Sequence, residues 1–246
     1  MARQRLDLHI PRYHSATFDT GLSLSRERRE GMLWSLGGGY AYDRFWNIEY
    51  PSGTTALAPM RIAERRRPYL EVGAELSFDV GELRLDRREE LDIKARLYPE
   101  GHRTWAASYS YQRVEAFGWH DLWLRSRGEF MGGDVTIPEE ASVGGVALHG
   151  VFANSFYAQK VAGVTDETRL SITRDLFKLG AFVDFTAFER MDHAVRLSNW
   201  RAAGALGASF HALVASLWQL DLYYGFGRTS GGLRDRALSA SLKKAF

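Results

Sequence analysis

The sequence predicts an all-β protein: one antiparallel, up-and-down β-barrel that crosses an outer membrane. Three observations predict it. Apolar and polar residues alternate with period two through most of the chain. The composition joins 24 glycines and only 6 prolines to 7 Trp, 11 Tyr and 14 Phe, with no cysteine. The alternating segments number about twelve, an even count as in bacterial single-chain barrels, and their connections sort by length.

The segments are roughly 3–10, 17–25, 31–42, 69–79, 83–97, 103–113, 121–130, 161–173, 178–189, 199–211, 216–226 and 236–246. Four of them carry the pattern most openly. In 69–79, Leu70, Val72, Ala74, Leu76 and Phe78 share one face, and Glu71, Gly73, Glu75, Ser77 and Asp79 the other. In 90–97, Leu91, Ile93, Ala95 and Leu97 oppose Glu90, Asp92, Lys94 and Arg96. Trp105, Ala107, Tyr109 and Tyr111 oppose Thr104, Ala106, Ser108, Ser110 and Gln112. Trp218, Leu220, Leu222, Tyr224 and Phe226 oppose Gln219, Asp221, Tyr223 and Gly225. Side chains on a strand point alternately to its two faces, so each segment is a strand with one apolar and one polar side. A soluble sandwich alternates too. The polar faces here are crowded with ionisable and small residues, as a lumen requires. The apolar faces end in aromatics, such as Trp105 with Tyr111, as interface girdles do.

Connections after even-numbered segments are short: Arg26–Glu30, Val80–Glu82, Val114–His120, Arg174–Phe177 and Ala212–Ala215. The two long ones, Asp43–Pro68 and Met131–Lys160, both follow odd-numbered segments. Short turns on one side and long loops on the other is the outer-membrane arrangement. The chain closes on Phe246, with Leu238, Ala240 and Leu242 on one face, which resembles the C-terminal signal that hands such proteins to their assembly machinery. Residues 1–246 read as a single barrel domain. The first residues form no signal peptide, so the sequence reads as a mature chain. With 32 basic against 30 acidic residues, a dedicated nucleic-acid binder is excluded, and the absence of cysteine excludes disulfide scaffolds and thiol catalysis.

Three blocks in 141–246 resemble the barrel end of the surface-antigen superfamily of BamA- and TamA-type barrels. Val143-Gly144-Gly145-Val146-Ala147-Leu148-His149-Gly150-Val151-Phe152 resembles the family's glycine run and the tip of its inward-folded loop. Glu167-Thr168-Arg169-Leu170-Ser171-Ile172 resembles the strand that follows, with its inward glutamate. Gly180-Ala181-Phe182-Val183-Asp184-Phe185 resembles the aromatic-x-aspartate strand, with Thr186 where the family has glycine. The segment 78–130 has similar texture without such a motif. The resemblance implies a loop that crosses the lumen and a role in inserting, translocating or anchoring envelope proteins. The family's tip arginine is His149 here, and the family's usual sixteen strands and preceding periplasmic domains are not matched, which makes this a reduced member. Alternation turns Asp184 and Glu167 inward, so His149 is expected to reach one of them. Such a lock is weaker than an arginine's and pH-dependent. The alternative is an ordinary loop-tip histidine. Gly150 and Phe152 complete the predicted lock.

Other candidates carry less. His211 and Ser209 share a face with Arg201 that reads as luminal, and no glycine-x-serine-x-glycine elbow occurs, so a lipid hydrolase is the weakest of three functions; a small solute pore is the second. Arg65, Arg66 and Arg67, with Arg61, are placed in the first long loop, where they could meet lipopolysaccharide phosphates or simply be solvated. Gly37-Gly38-Gly39 lies inside a strand, where the sheet bends or a neighbour comes close. The histidines have no metal spacing. No enzyme activity, cofactor or metal is expected. The expected partners are outer-membrane lipid, lipopolysaccharide and other envelope proteins.

Overall fold

The structure, a computed structural model, describes residues 12–29, 31–49, 64–82, 85–99, 104–133, 135, 140–144, 148–151, 156–173, 176–192, 197–214, 218–232 and 234–244. They form β1 (Arg12–Arg29), β2 (Met32–Glu49), β3 (Glu64–Glu82), β4 (Leu85–Tyr98), β5 (Thr104–Phe117), β6 (His120–Gly132), β7 (Ala141–Val143), β8 (Phe156–Ala158), β9 (Lys160–Thr173), β10 (Phe177–Asp192), β11 (Leu197–Val214), β12 (Trp218–Thr229) and β13 (Arg234–Lys244). Eleven strands make one antiparallel sheet in the order β1-β2-β3-β4-β5-β6-β9-β10-β11-β12-β13. β7 and β8 pair only with each other, inside the long connection between β6 and β9. Among the described residues no helix is long and apolar enough to cross a membrane.

Eleven of the twelve predicted segments are strands of this sheet. The twelfth, 3–10, lies outside the described residues. The strands run beyond the predicted bounds, most of all at the first long connection. β2 continues to Glu49 and β3 begins at Glu64, so Asp43–Glu49 and Glu64–Pro68 are strand where a loop was predicted. Alternation fades there because both faces carry charge.

The two faces differ as the pattern demands. Leu170, Ile172, Leu179, Val183, Phe185, Leu206, Phe226, Leu238 and Leu242 are exposed on one face of β9–β13. Thr165, Glu167, Arg169, Asp184, Thr186, Ser209, His211 and Asp221 are buried on the other. Leu70, at 59% exposure, and Trp105, at 42%, point outward as well, and so do not share a dry protein core. The long connection covers part of the polar face. Its Ala141, Val143, Leu148, Val151 and Ala158 pack with Val161, Phe188, Ala203 and Ala205 of the sheet into the main apolar cluster.

At the other end of the sheet the glycine run has a specific tenant. Gly39 is in register with Gly21, and a Cβ on Gly39 would lie 2.6 Å from the Tyr69 hydroxyl. Tyr69 crosses this bare backbone to donate to Asp19 Oδ1 at 2.6 Å, and Arg96 donates to Asp19 Oδ2 at 2.6 Å. Gly39→Val should therefore lower stability by about 1–3 kcal/mol through overpacking. Denaturant unfolding in detergent checks this, and an unchanged midpoint would refute the close approach.

Candidate functional site: the loop tip and its carboxylates

The tip of the long connection is held by one carboxylate. The His149 backbone N–H donates to Asp184 Oδ2 at 2.7 Å, and His149 Nδ1 lies 2.9 Å from the same oxygen. A carboxylate oxygen only accepts, so Nδ1 is the donor. Both residues are buried, at 2% and 1% exposure. The imidazole stacks on Tyr223, with centroids 4.0 Å apart, and tilts toward Phe182 at 5.1 Å. Asp184 points here because β10 alternates, with Phe182 and Thr186 on the same buried face and Val183 and Phe185 outside.

Gly150 then fits where no side chain can. A Cβ on it would lie 2.6 Å from Ala205 Cβ, 2.7 Å from the Phe226 carbonyl carbon and 2.8 Å from the Gly227 nitrogen. The fit is mutual: a Cβ on Gly225 would lie 3.0 Å from Gly150 Cα, and one on Gly227 would lie 2.6 Å from the Gly150 oxygen. Glycines on β12 thus form the seat for a glycine at the loop tip. Leu148 and Val151 are buried on either side, and a bond from Val151 N to Leu148 O at 3.1 Å closes the turn.

Glu167 is the centre of a second, adjoining cluster and is fully buried. Its Oε2 accepts from Arg125 and Arg169 Nη2, both at 2.7 Å, and from the Tyr223 hydroxyl at 3.3 Å. Its Oε1 accepts from Ser209 Oγ at 2.5 Å and faces His211 Nε2 at 2.7 Å. These groups come from β6, β9, β11 and β12, all on the inward face. His149 is hydrogen-bonded to Asp184 and not to Glu167. Tyr223 joins the two clusters, since it stacks on His149 and donates to Glu167.

Ser209, His211 and Asp221 have the spacing of a serine-hydrolase relay. Ser209 Oγ lies 3.0 Å from His211 Nε2, and His211 Nδ1 lies 2.8 Å from Asp221 Oδ1. The surroundings differ. His211 has a carboxylate oxygen at each ring nitrogen, Asp221 Oδ1 at Nδ1 and Glu167 Oε1 at Nε2, so Nε2 is shared between Ser209 and Glu167. Ser209 donates to Glu167 instead, and all four residues are buried. The arrangement is suited to holding charge in place. Sequence reasoning put Ser209, His211 and Glu167 on inward faces. It missed Arg125, Asp221 and Tyr223 as partners, although each is an inward position of its own strand.

The arginine run divides by alternation. Arg67 turns onto the polar face, where Nη2 donates to Asp43 Oδ2 at 2.9 Å and Cζ sits 4.3 Å from the Tyr98 ring centroid. Arg66 is exposed on the outer face, with Cζ 5.6 Å from the Tyr42 ring centroid. Arg65 lies on β3 in register with Asp43. The run is thus strand rather than loop, and Arg67 is partly buried in its pair with Asp43. Arg61, Phe152 and Phe246 lie outside the described residues. No group of three or more metal-ligating side chains occurs among the described residues.

Neither a protein-family model nor a curated protein sequence matches the chain. A solved structure does: BamA from Haemophilus ducreyi lacking POTRA domains 1–3, with a TM-score of 0.71 at 11% sequence identity. The match covers 94% of this chain and 55% of that one, so this chain spans about half the length of its neighbour. The likeness is one of fold, and the chain is an all-β, up-and-down antiparallel protein with a BamA-like architecture.

Proposed function

We propose that the sheet closes into an outer-membrane β-barrel with the β6–β9 connection inside its lumen, and that the protein serves the assembly, translocation or anchoring of other envelope proteins. One observation carries the reading. The loop tip is docked on a buried carboxylate of the polar face, while the opposite face presents leucine, valine and phenylalanine outward. In water that outer face would be a large exposed apolar surface; in a bilayer it is the matching one. The partners of this reading are outer-membrane lipid, lipopolysaccharide near Arg66, and other envelope proteins. It includes no nucleic acid, cofactor, metal or catalysed reaction.

The test is assisted folding. Vesicles carrying this protein should speed the insertion of a small denatured outer-membrane barrel severalfold over empty vesicles, and Asp184→Ala should reduce the gain. Equal rates in both vesicle types would remove the assembly role. A solute pore is the second reading, favoured by a cavity of about 560 Å³ toward the short-turn end, whose lining includes Glu27, Glu75, Arg88, Glu90 and Asp92. Single-channel conductance that rises when 131–160 is deleted would select it.

A further inference from the structure

Asp166 is out of keeping with its surroundings. It is the seventh of the fourteen residues of β9 and is exposed on the outer face, with Val164, Leu170 and Ile172. Its register neighbours are Leu124 on β6 and Val183 on β10. It makes no hydrogen bond or ion pair to any described residue. Other outward charges nearby are paired and lie nearer strand ends: Arg87 with Glu89, Arg113 with Glu115, and Lys160 with Glu189 at 2.6 Å.

The surface around Asp166 carries small and hydroxylated residues. Thr168 lies beside it, and Ser126 sits one step along β6, bonded to the Tyr109 hydroxyl at 3.1 Å. Gly128 and Ala162 flatten the wall between β6 and β9, and Tyr109 lies across Gly128 in a stack with Phe130. A flat, partly hydroxylated strip with a bare carboxylate at mid-strand is poorly matched to hydrocarbon and well matched to a closely packed polypeptide.

We propose that the outer surface of β6 and β9 is an intramembrane contact site for a second polypeptide that presents a lysine or arginine side chain to Asp166. The inference rests on the membrane-barrel reading above. Charge complementarity selects the partner: an uncompensated carboxylate in low dielectric is relieved by a cation, and Lys or Arg supplies it together with hydrogen-bond donors.

The test has two arms. In pure phosphatidylcholine vesicles, where the partner is absent, Asp166→Leu should shift the folding equilibrium toward the folded state by about tenfold or more, and Val183→Arg should shift it the other way by a similar factor. In native membranes, a photoreactive amino acid in place of Thr168 should give a discrete protein adduct whose cross-linked peptide contains Lys or Arg. The adduct should persist in part in Asp166→Asn and be lost in Asp166→Lys. If Val183→Arg destabilises while Asp166→Leu does not stabilise, the proposal fails and the barrel reading stands. Adducts only to lipid or to a second copy of the chain, or adducts insensitive to Asp166→Lys, also overturn it. If Val183→Arg is neutral, the membrane reading itself fails, and the proposal with it.

Discussion

Replacing Glu167 with alanine is expected to lower stability by about 3–5 kcal/mol, the usual loss when one member of a buried ion network is removed. The acceptor for two guanidiniums, a hydroxyl, a phenol and an imidazole disappears together, at a fully buried position. The buried Arg169 and the partly buried Arg125 are then left with Tyr223, to which both also donate, at 3.3 and 3.2 Å. Glu167→Gln keeps the shape and one acceptor oxygen, so its cost should be smaller, about 1–3 kcal/mol. Equilibrium unfolding followed by tryptophan fluorescence measures both. A loss under 1 kcal/mol in Glu167→Ala would mean that the cluster is wetter and looser than its geometry.

Gly150→Leu should release the loop tip. The new side chain has nowhere to go: Ala205 and the backbone of Phe226 and Gly227 already occupy the space. Undocking pulls His149 from Asp184 and Leu148 and Val151 from their packing. The docking equilibrium should fall by about 3 kcal/mol, roughly a hundredfold. Added protease reports it directly, as faster cleavage within 133–159, while the unfolding midpoint of the sheet moves less. His149→Ala should loosen the same tip more mildly, since neighbouring apolar contacts remain. Unchanged protease resistance in Gly150→Leu would show that the tip is not held by this seat.

The faces of the strands were legible in the residues, and the site that joins them was not. Period two assigns Asp184 inward and Val183 outward without reference to any other strand, because a strand's side chains alternate whatever it pairs with. The same rule turned Glu167, Ser209 and His211 to one side. It says nothing of register. That Glu167 meets Ser209 and His211 across β10, or that Tyr223 reaches both Glu167 and His149, depends on how β9 to β12 slide past one another. The arginine run shows a different limit. Arg65-Arg66-Arg67 has no alternation to read, since both faces of β3 carry charge there, and so strand resembles loop. The resemblance of the loop block left open whether His149 meets Asp184, Glu167 or neither; the choice of Asp184, and the second bond from the backbone N–H, have no signature in side-chain pattern.

Placing every second residue outside has a consequence for the chain before it folds. Its mean hydropathy is −0.29, the value of a water-soluble protein, even though the finished outer face is apolar. Leu170 and Ile172 are separated by Ser171, and Val183 and Phe185 by Asp184, so the apolar face of these strands is broken up while the polypeptide is extended. The apolar face is latent in the linear polymer and emerges only when neighbouring strands zip together.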